Sequence, residues 1–160
     1  MFHSTIEPVD RADTSGNTKS VKSEHETIRD LVAPLFEAAH GGPYTLYLYG
    51  SRAAGFARAE SDYDFALIGP EPLDRDALSG FRDALIDALP GDADVDFVDM
   101  RRIPLTLAAQ VLESSVILLP GDEGERARLE TRLMSMYAAL NEERRGIVED
   151  IVARGSVYAG

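Results

Sequence analysis

"GSRAAGFARAESDYDFALIG", residues 50–69, joins two apolar segments through a glycine, a serine and a pair of aspartates. The run before it, "YTLYLY" (44–49), has strand composition, and the run after the aspartates reads "FALI". Strands ordinarily exclude aspartate. Here Asp62 and Asp64 stand at i and i+2, so on an extended chain both carboxylates leave one face while Tyr63 and Phe65 leave the other. Two like charges so placed repel unless something positive lies between them. The ten residues between Ser51 and Asp62 are short for a parallel crossover, so the two strands are expected to run antiparallel. That pairing brings Gly50-Ser51 and Asp62-x-Asp64 together at one edge of a sheet.

Asp-x-Asp alone carries little weight in this chain. It recurs at Asp74/Asp76, Asp92/Asp94 and Asp94/Asp96. The Asp74 pair opens a helical pattern, where carboxylates favour the positive end of the helix dipole. Asp92 and Asp94 follow a Pro-Gly turn and read as solvated. Position singles out Asp62 and Asp64, which stand at the rim of an apolar strand.

The rest of the chain sets bounds. With 160 residues, 44% hydrophobic and 28% charged, it has the size and composition of one soluble domain. Twenty-eight acidic residues against 16 basic ones give a formal net charge of −12. Such a surface repels nucleic-acid backbones, so direct nucleic-acid binding is not expected. The absence of cysteine excludes disulfides and thiolate zinc sites. No apolar run reaches the length of a membrane span, and the first residues lack the apolar core of a signal peptide. A cytoplasmic protein without membrane contact is the expectation.

Residues 1–22 are polar and aperiodic and read as a flexible tail preceding a single domain, 23–160. Ser23 and Glu26 have capping-box spacing, and Ile28, Leu31, Val32, Leu35 and Phe36 follow at helical period up to Gly41. A short helix is expected from 51 to about 58 and a strand over 62–68. Asp74 reads as the N-cap of a helix to Leu89, and "ADVDFVD" (93–99) as a third strand. Pro104 starts a helix to about Glu113, and "SVILL" (115–119) forms a fourth strand. From Asp122 to Arg154 runs one long helical pattern, with Gly146 as a possible break. Its stripe of Leu129, Leu133, Met136, Tyr137, Leu140, Ile147 and Ile151 reads as core, with an extension of Met134, Met136 and Tyr137 into a partner interface as the alternative. His3, His25 and His40 lack a second ligand at metal spacing and read as structural. Tyr44, Tyr47 and Tyr49 alternate through their strand as core or rim packing. The order describes an α/β (α+β) domain with a small mixed sheet, flanking helices and a long C-terminal helix.

Two carboxylates at a strand mouth present hard oxygens to Mg²⁺, which takes its remaining ligands from water and phosphate. Glycine lets the backbone approach a phosphate, Ser51 offers N–H and hydroxyl donors, and Arg52 adds charge unless it pairs with Glu60. A second ion needs a third carboxylate. Asp96, between Val95 and Phe97, is the best placed, with Asp94 and Asp99 as competitors.

Gly50-Ser51, ten residues, Asp62-x-Asp64 and then Asp96 together resemble the minimal nucleotidyltransferases (MNT) of the DNA polymerase β-like superfamily, over residues 25–150. Within it the chain looks most like the MntA-type antitoxins encoded beside HEPN-domain toxins. The resemblance implies a polymerase β-like fold and transfer of AMP from ATP, with two Mg²⁺ ions, onto a tyrosine of a HEPN toxin ribonuclease from a neighbouring gene. It implies Asp62, Asp64 and Asp96 as metal-binding and catalytic residues, and Gly50, Ser51 and Arg52 as the nucleotide cradle. Two rivals are an antitoxin that acts by occlusion alone and a nucleotidyltransferase acting on a small molecule. The latter usually carries an additional acceptor domain, for which little chain remains.

The positional argument predicts that Asp62→Asn or Asp64→Asn abolishes nucleotide transfer, whereas Asp74→Asn and Asp92→Asn leave turnover nearly unchanged. Equal losses from both sets in a transfer assay would refute it.

Overall fold

A computed structural model describes residues 21–155. The expected tail falls outside the described residues up to position 20, and His3 with it. The first helix, α1 (Glu24–His40), begins at the capping box that the spacing foretells. The Ser23 hydroxyl accepts from Glu26 N at 3.2 Å, and the Glu26 carboxylate accepts from Ser23 N at 2.8 Å. The chain continues through β1 (Thr45–Tyr49), α2 (Gly50–Ala54), β2 (Tyr63–Ile68), α3 (Arg75–Ala88) and β3 (Val95–Asp99), then α4 (Leu105–Ser114), β4 (Val116–Leu119) and α5 (Glu123–Arg154). Side chains of Asp74 and Asp122 cap α3 and α5, each accepting a backbone N–H three residues on.

The sheet runs β3-β2-β1-β4. The central strand β1 is antiparallel to β2 and β4, while β2 and β3 are parallel. Period-two alternation divides the core between its faces. Leu46, Leu48, Tyr63, Phe65 and Phe97 pack against Ile28, Val32 and Phe36 of α1 and Phe81 and Leu85 of α3. Tyr47, Ala66 and Ile68 meet Ala108 and Val111 of α4 and Leu129 of α5 on the other. His25 and His40 are both engaged in packing: His25 against α2, His40 among the rings of Phe36, Tyr44 and Phe81. Burial holds the His40 imidazole below its ordinary pKa and therefore neutral.

Three expectations need correction. The short helix α2 ends at Ala54 rather than near 58, because Gly55 adopts φ +81° and closes it. Gly146 does not interrupt α5, which continues unbroken to Arg154. The apolar stripe of α5 is core only at its start. Leu129 is buried and Leu133 packs beside it, but Met136, Ile147 and Ile151 are exposed. A helix of 32 residues is ~48 Å long at 1.5 Å per residue, longer than the sheet it packs on, so its distal turns have no core to face.

Asp99, a competitor for the third carboxylate, is removed from solvent and put to structural use. Its Oδ2 accepts from Leu73 N at 2.7 Å and its Oδ1 from Arg101 N at 2.9 Å, at 1% exposure. These bonds pin the β2–α3 loop to the end of β3. Asp99→Ala leaves two such donors without their acceptor and should cost about 2 kcal/mol or more. The expected result is a lower urea midpoint at unchanged m-value, with Asp99→Asn losing less.

Candidate active site

The register places three side chains abreast. Tyr49 of β1 is the partner of Asp64 on β2, and Asp64 is the partner of Asp96 on β3. One row deeper on the same face stand Tyr47, Ala66 and Val98, which are packed in the core. Core therefore gives way to carboxylate over a single step along β2 and β3. Asp64 is half-buried, whereas Asp62, just before β2 begins, and Asp96 are exposed. Asp94, at the approach to β3, uses its carbonyl to accept from Tyr63 N at 2.8 Å and has an exposed side chain outside the row.

Electrostatics follow from the register. Burial first, and then the charges of Asp96 and Asp62, push the Asp64 carboxyl above the ordinary aspartate range against a smaller opposing pull from Arg52. The Tyr49 hydroxyl donates to Asp96 Oδ2 at 3.0 Å. Burial, Asp96 and Asp64 push that hydroxyl upward too, so it stays protonated and acts as a donor. The acidic set is open: among the described residues no three acidic or imidazole side chains close on one point.

Gly50 follows β1 directly and is glycine for two reasons. Its φ is +70°, and a Cβ there would collide with Asp64 Oδ2. The backbone at the start of α2 thus comes against the Asp64 carboxylate, with Ser51 half-buried beside it. Gly-Ser and Asp-x-Asp meet at one sheet edge, as the ten-residue connection requires.

Arg52 is placed otherwise than expected. It is 4% exposed and pairs with Glu24 of α1, not with Glu60. Its Nη2 donates to Ser61 O at 2.6 Å and Ala59 O at 3.2 Å, and its guanidinium lies 3.8 Å over the Tyr63 ring. With its donors turned inward, this side chain clamps the loop leading into Asp62 rather than offering a free cation. His25 Nε2 donates to Arg52 O at 2.7 Å and fastens α1 to the same point. Reading the sequence missed Glu24, His25 and Tyr49 at this end of the sheet. Only Tyr49 carried a signal, as the strand residue directly before Gly50.

Residues 37–124, from the end of α1 to the start of α5, match the family of polymerase β nucleotidyltransferases. This chain belongs to that family. The matched span contains Gly50, Ser51, Asp62, Asp64 and Asp96, and the protein is a nucleotidyltransferase of polymerase β-like fold. Protein adenylyltransferase MntA of Shewanella oneidensis is 32% identical over 114 residues, covering 71% of this chain and 80% of MntA. A crystallised toxin–antitoxin with AMP-PNP is similar over 78% of this chain and 98% of its own, with 29% identity and a TM-score of 0.65. An MNT antitoxin in complex with a tri-AMPylated HEPN toxin, also from S. oneidensis, matches at 26% identity and a TM-score of 0.62, covering 80% of this chain and 98% of its own. Among the described residues of this nucleotidyltransferase, no helix is long and apolar enough to cross a membrane.

The raised Asp64 carboxyl has a signed consequence for stability. The native state holds that proton more readily than the unfolded chain, so the ionised carboxylate destabilises the fold as pH rises through the raised value. Below the ordinary value of 3.8 the effect is absent. Asp64→Asn should therefore raise the thermal midpoint at neutral pH, and the gain should shrink as pH falls towards that value. A midpoint lowered at neutral pH would show that attraction to Arg52 outweighs burial and repulsion.

Proposed function

We propose that this nucleotidyltransferase is an antitoxin that transfers AMP from ATP to a tyrosine hydroxyl of a HEPN-domain toxin encoded by a neighbouring gene. The observation that carries the reading is the row of Asp64 and Asp96 on adjacent strands, set against the backbone of Gly50 with Asp62 at its mouth. Like charges concentrated on one partly dehydrated face suit a hard divalent cation and, through that cation, a polyphosphate. Similarity to MntA and to toxin–antitoxin structures, one with AMP-PNP and one with a tri-AMPylated toxin, supports the nucleotide and the class of acceptor.

In this reading Asp62, Asp64 and Asp96 would together hold two Mg²⁺ ions. Bound there, the two cations would neutralise the triphosphate and lower the pKa of the attacking hydroxyl. The backbone of Gly50 and the hydroxyl and N–H of Ser51 would contact the triphosphate. Asp96 takes the proton of the acceptor hydroxyl as its oxygen attacks the α-phosphorus. The bond from that phosphorus to the β-phosphate bridging oxygen breaks, and pyrophosphate leaves. Arg52 holds the loop that sets the position of Asp62 and touches no phosphate. Catalysis is then positioning and charge neutralisation. AMP beside an RNA-cleaving site adds negative charge and bulk that disfavour RNA.

The acceptor is read as protein because a chain of net charge −12 repels a nucleic acid. Co-expression with the neighbouring toxin should yield toxin carrying one or more AMP units by mass spectrometry. The product should be lost with Asp62→Asn or Asp96→Asn and retained with Asp94→Asn. With purified components, label from α-labelled ATP should reach the toxin only when divalent cation is present. A toxin left unmodified yet neutralised by the Asp62→Asn protein would establish occlusion and sink the enzymatic account of the antitoxin.

A further inference from the structure

The geometry points to Tyr49 as the residue that positions Asp96, holding its carboxylate in the one orientation that lets Oδ1 face the reacting groups. This inference rests on the role proposed above for Asp96.

Tyr49 sits on β1 and Asp96 on β3, roughly two strand spacings or ~10 Å apart across the sheet. Asp64 lies between them in the row. Only a long side chain reaches so far, and the phenol does so, with its hydroxyl donating to Asp96 Oδ2 at 3.0 Å. Tyr49 is partly buried against the core cluster that contains Tyr47 and Ala66, which limits its freedom to turn. The Asp96 side chain has no other hydrogen-bond donor among the described residues, and Asp96 is itself exposed. Without the phenol its carboxylate would rotate freely beside the like-charged Asp64. Repulsion would drive it away from the row, where holding cations would require the carboxylates together. The bond thus opposes that repulsion with a neutral donor, adding no positive charge to compete with a cation. It also leaves Oδ1 as the oxygen free for a metal ion or an acceptor proton. A hydrogen-bonding partner that orients a ligating carboxylate is typically worth about 10- to 100-fold in metal affinity or activity.

Tyr49→Phe keeps the ring and removes only the hydroxyl. Mn²⁺ titrated calorimetrically into the free protein should bind about tenfold or more weaker in this variant. In transfer assays kcat should fall about 10- to 100-fold while KM for ATP stays within about twofold. Thermal unfolding should show the variant folded. Unchanged Mn²⁺ affinity overturns the inference, as does an unchanged kcat or a raised KM at full kcat, which would make the phenol a wall of the nucleotide site. Asp96→Asn is run alongside. If Asp96→Asn transfers nucleotide at the native rate, the proposed role of Asp96 itself fails. If it is inactive while Tyr49→Phe is fully active, only the role of Tyr49 falls.

Discussion

Asp64 and Asp96 are held abreast on neighbouring parallel strands, and their mutual repulsion is the constraint the rest of the structure must absorb. Left to itself, a carboxylate pair at ~5 Å strand spacing would turn outward into water. Burial of the row beneath drives the other way. Tyr47, Ala66 and Val98 belong to a packed core, so the strands cannot part without exposing it. Hydrophobic free energy gained one step deeper in the sheet thereby fixes two charges that would not choose to be neighbours. The Asp64 carboxyl is raised by its burial first and by the charges of Asp96 and Asp62 after it.

Around this row the chain uses neutral or inward-turned donors. Arg52 lies close enough to pull the Asp64 carboxyl downward, yet its guanidinium is committed to Glu24, to loop carbonyls and to the Tyr63 ring. The loop between α2 and β2 has no hydrophobic anchor of its own; Phe56 within it is 83% exposed. A buried cation bonded to the carbonyls of Ala59 and Ser61 supplies the missing anchor and sets where Asp62 begins. Tyr49 does the corresponding work for Asp96 from the other side. Local positive charge is thus consumed in structure, and the edge keeps the negative potential that divalent cations would neutralise.

What could be read from the sequence was whatever short-range chemistry determines. The caps at Ser23, Asp74 and Asp122 depend on residues three apart, and all three stand where spacing puts them. Antiparallel pairing of β1 and β2 follows from a connection too short for anything else, and it brings Gly50 to Asp64. Asp96 was distinguished from Asp94 by its apolar neighbours, and the register sets Asp96 abreast of Asp64. Contacts distant in sequence were not legible. Glu60 is the nearest acid in sequence to Arg52, but the actual partner, Glu24, lies on α1 and meets α2 only after the sheet has formed. Tyr49 alternates with Tyr47 as packing residues do, and its bond to a carboxylate two strands away exists only in the assembled sheet.

The C-terminal helix shows the same limit from another side. Periodicity tells which face of α5 is apolar, but not how far the sheet beneath it extends. Its first turns are fixed by nonlocal contacts, with Leu129 in the core and the Tyr47 hydroxyl donating to Glu130 at 2.5 Å. Glu125–Arg128 and Arg126–Glu130 add pairs along the surface. Past Asn141 every described residue is exposed, and Asp150–Arg154 is the ion pair formed there among them. Such a pair contributes about 0.3–0.5 kcal/mol, less than the roughly 1 kcal/mol by which Gly146 falls short of alanine in a helix. Nothing local therefore favours the distal turns strongly. They are helical because the anchored segment has already met the cost of nucleation, and each further residue needs only to propagate it.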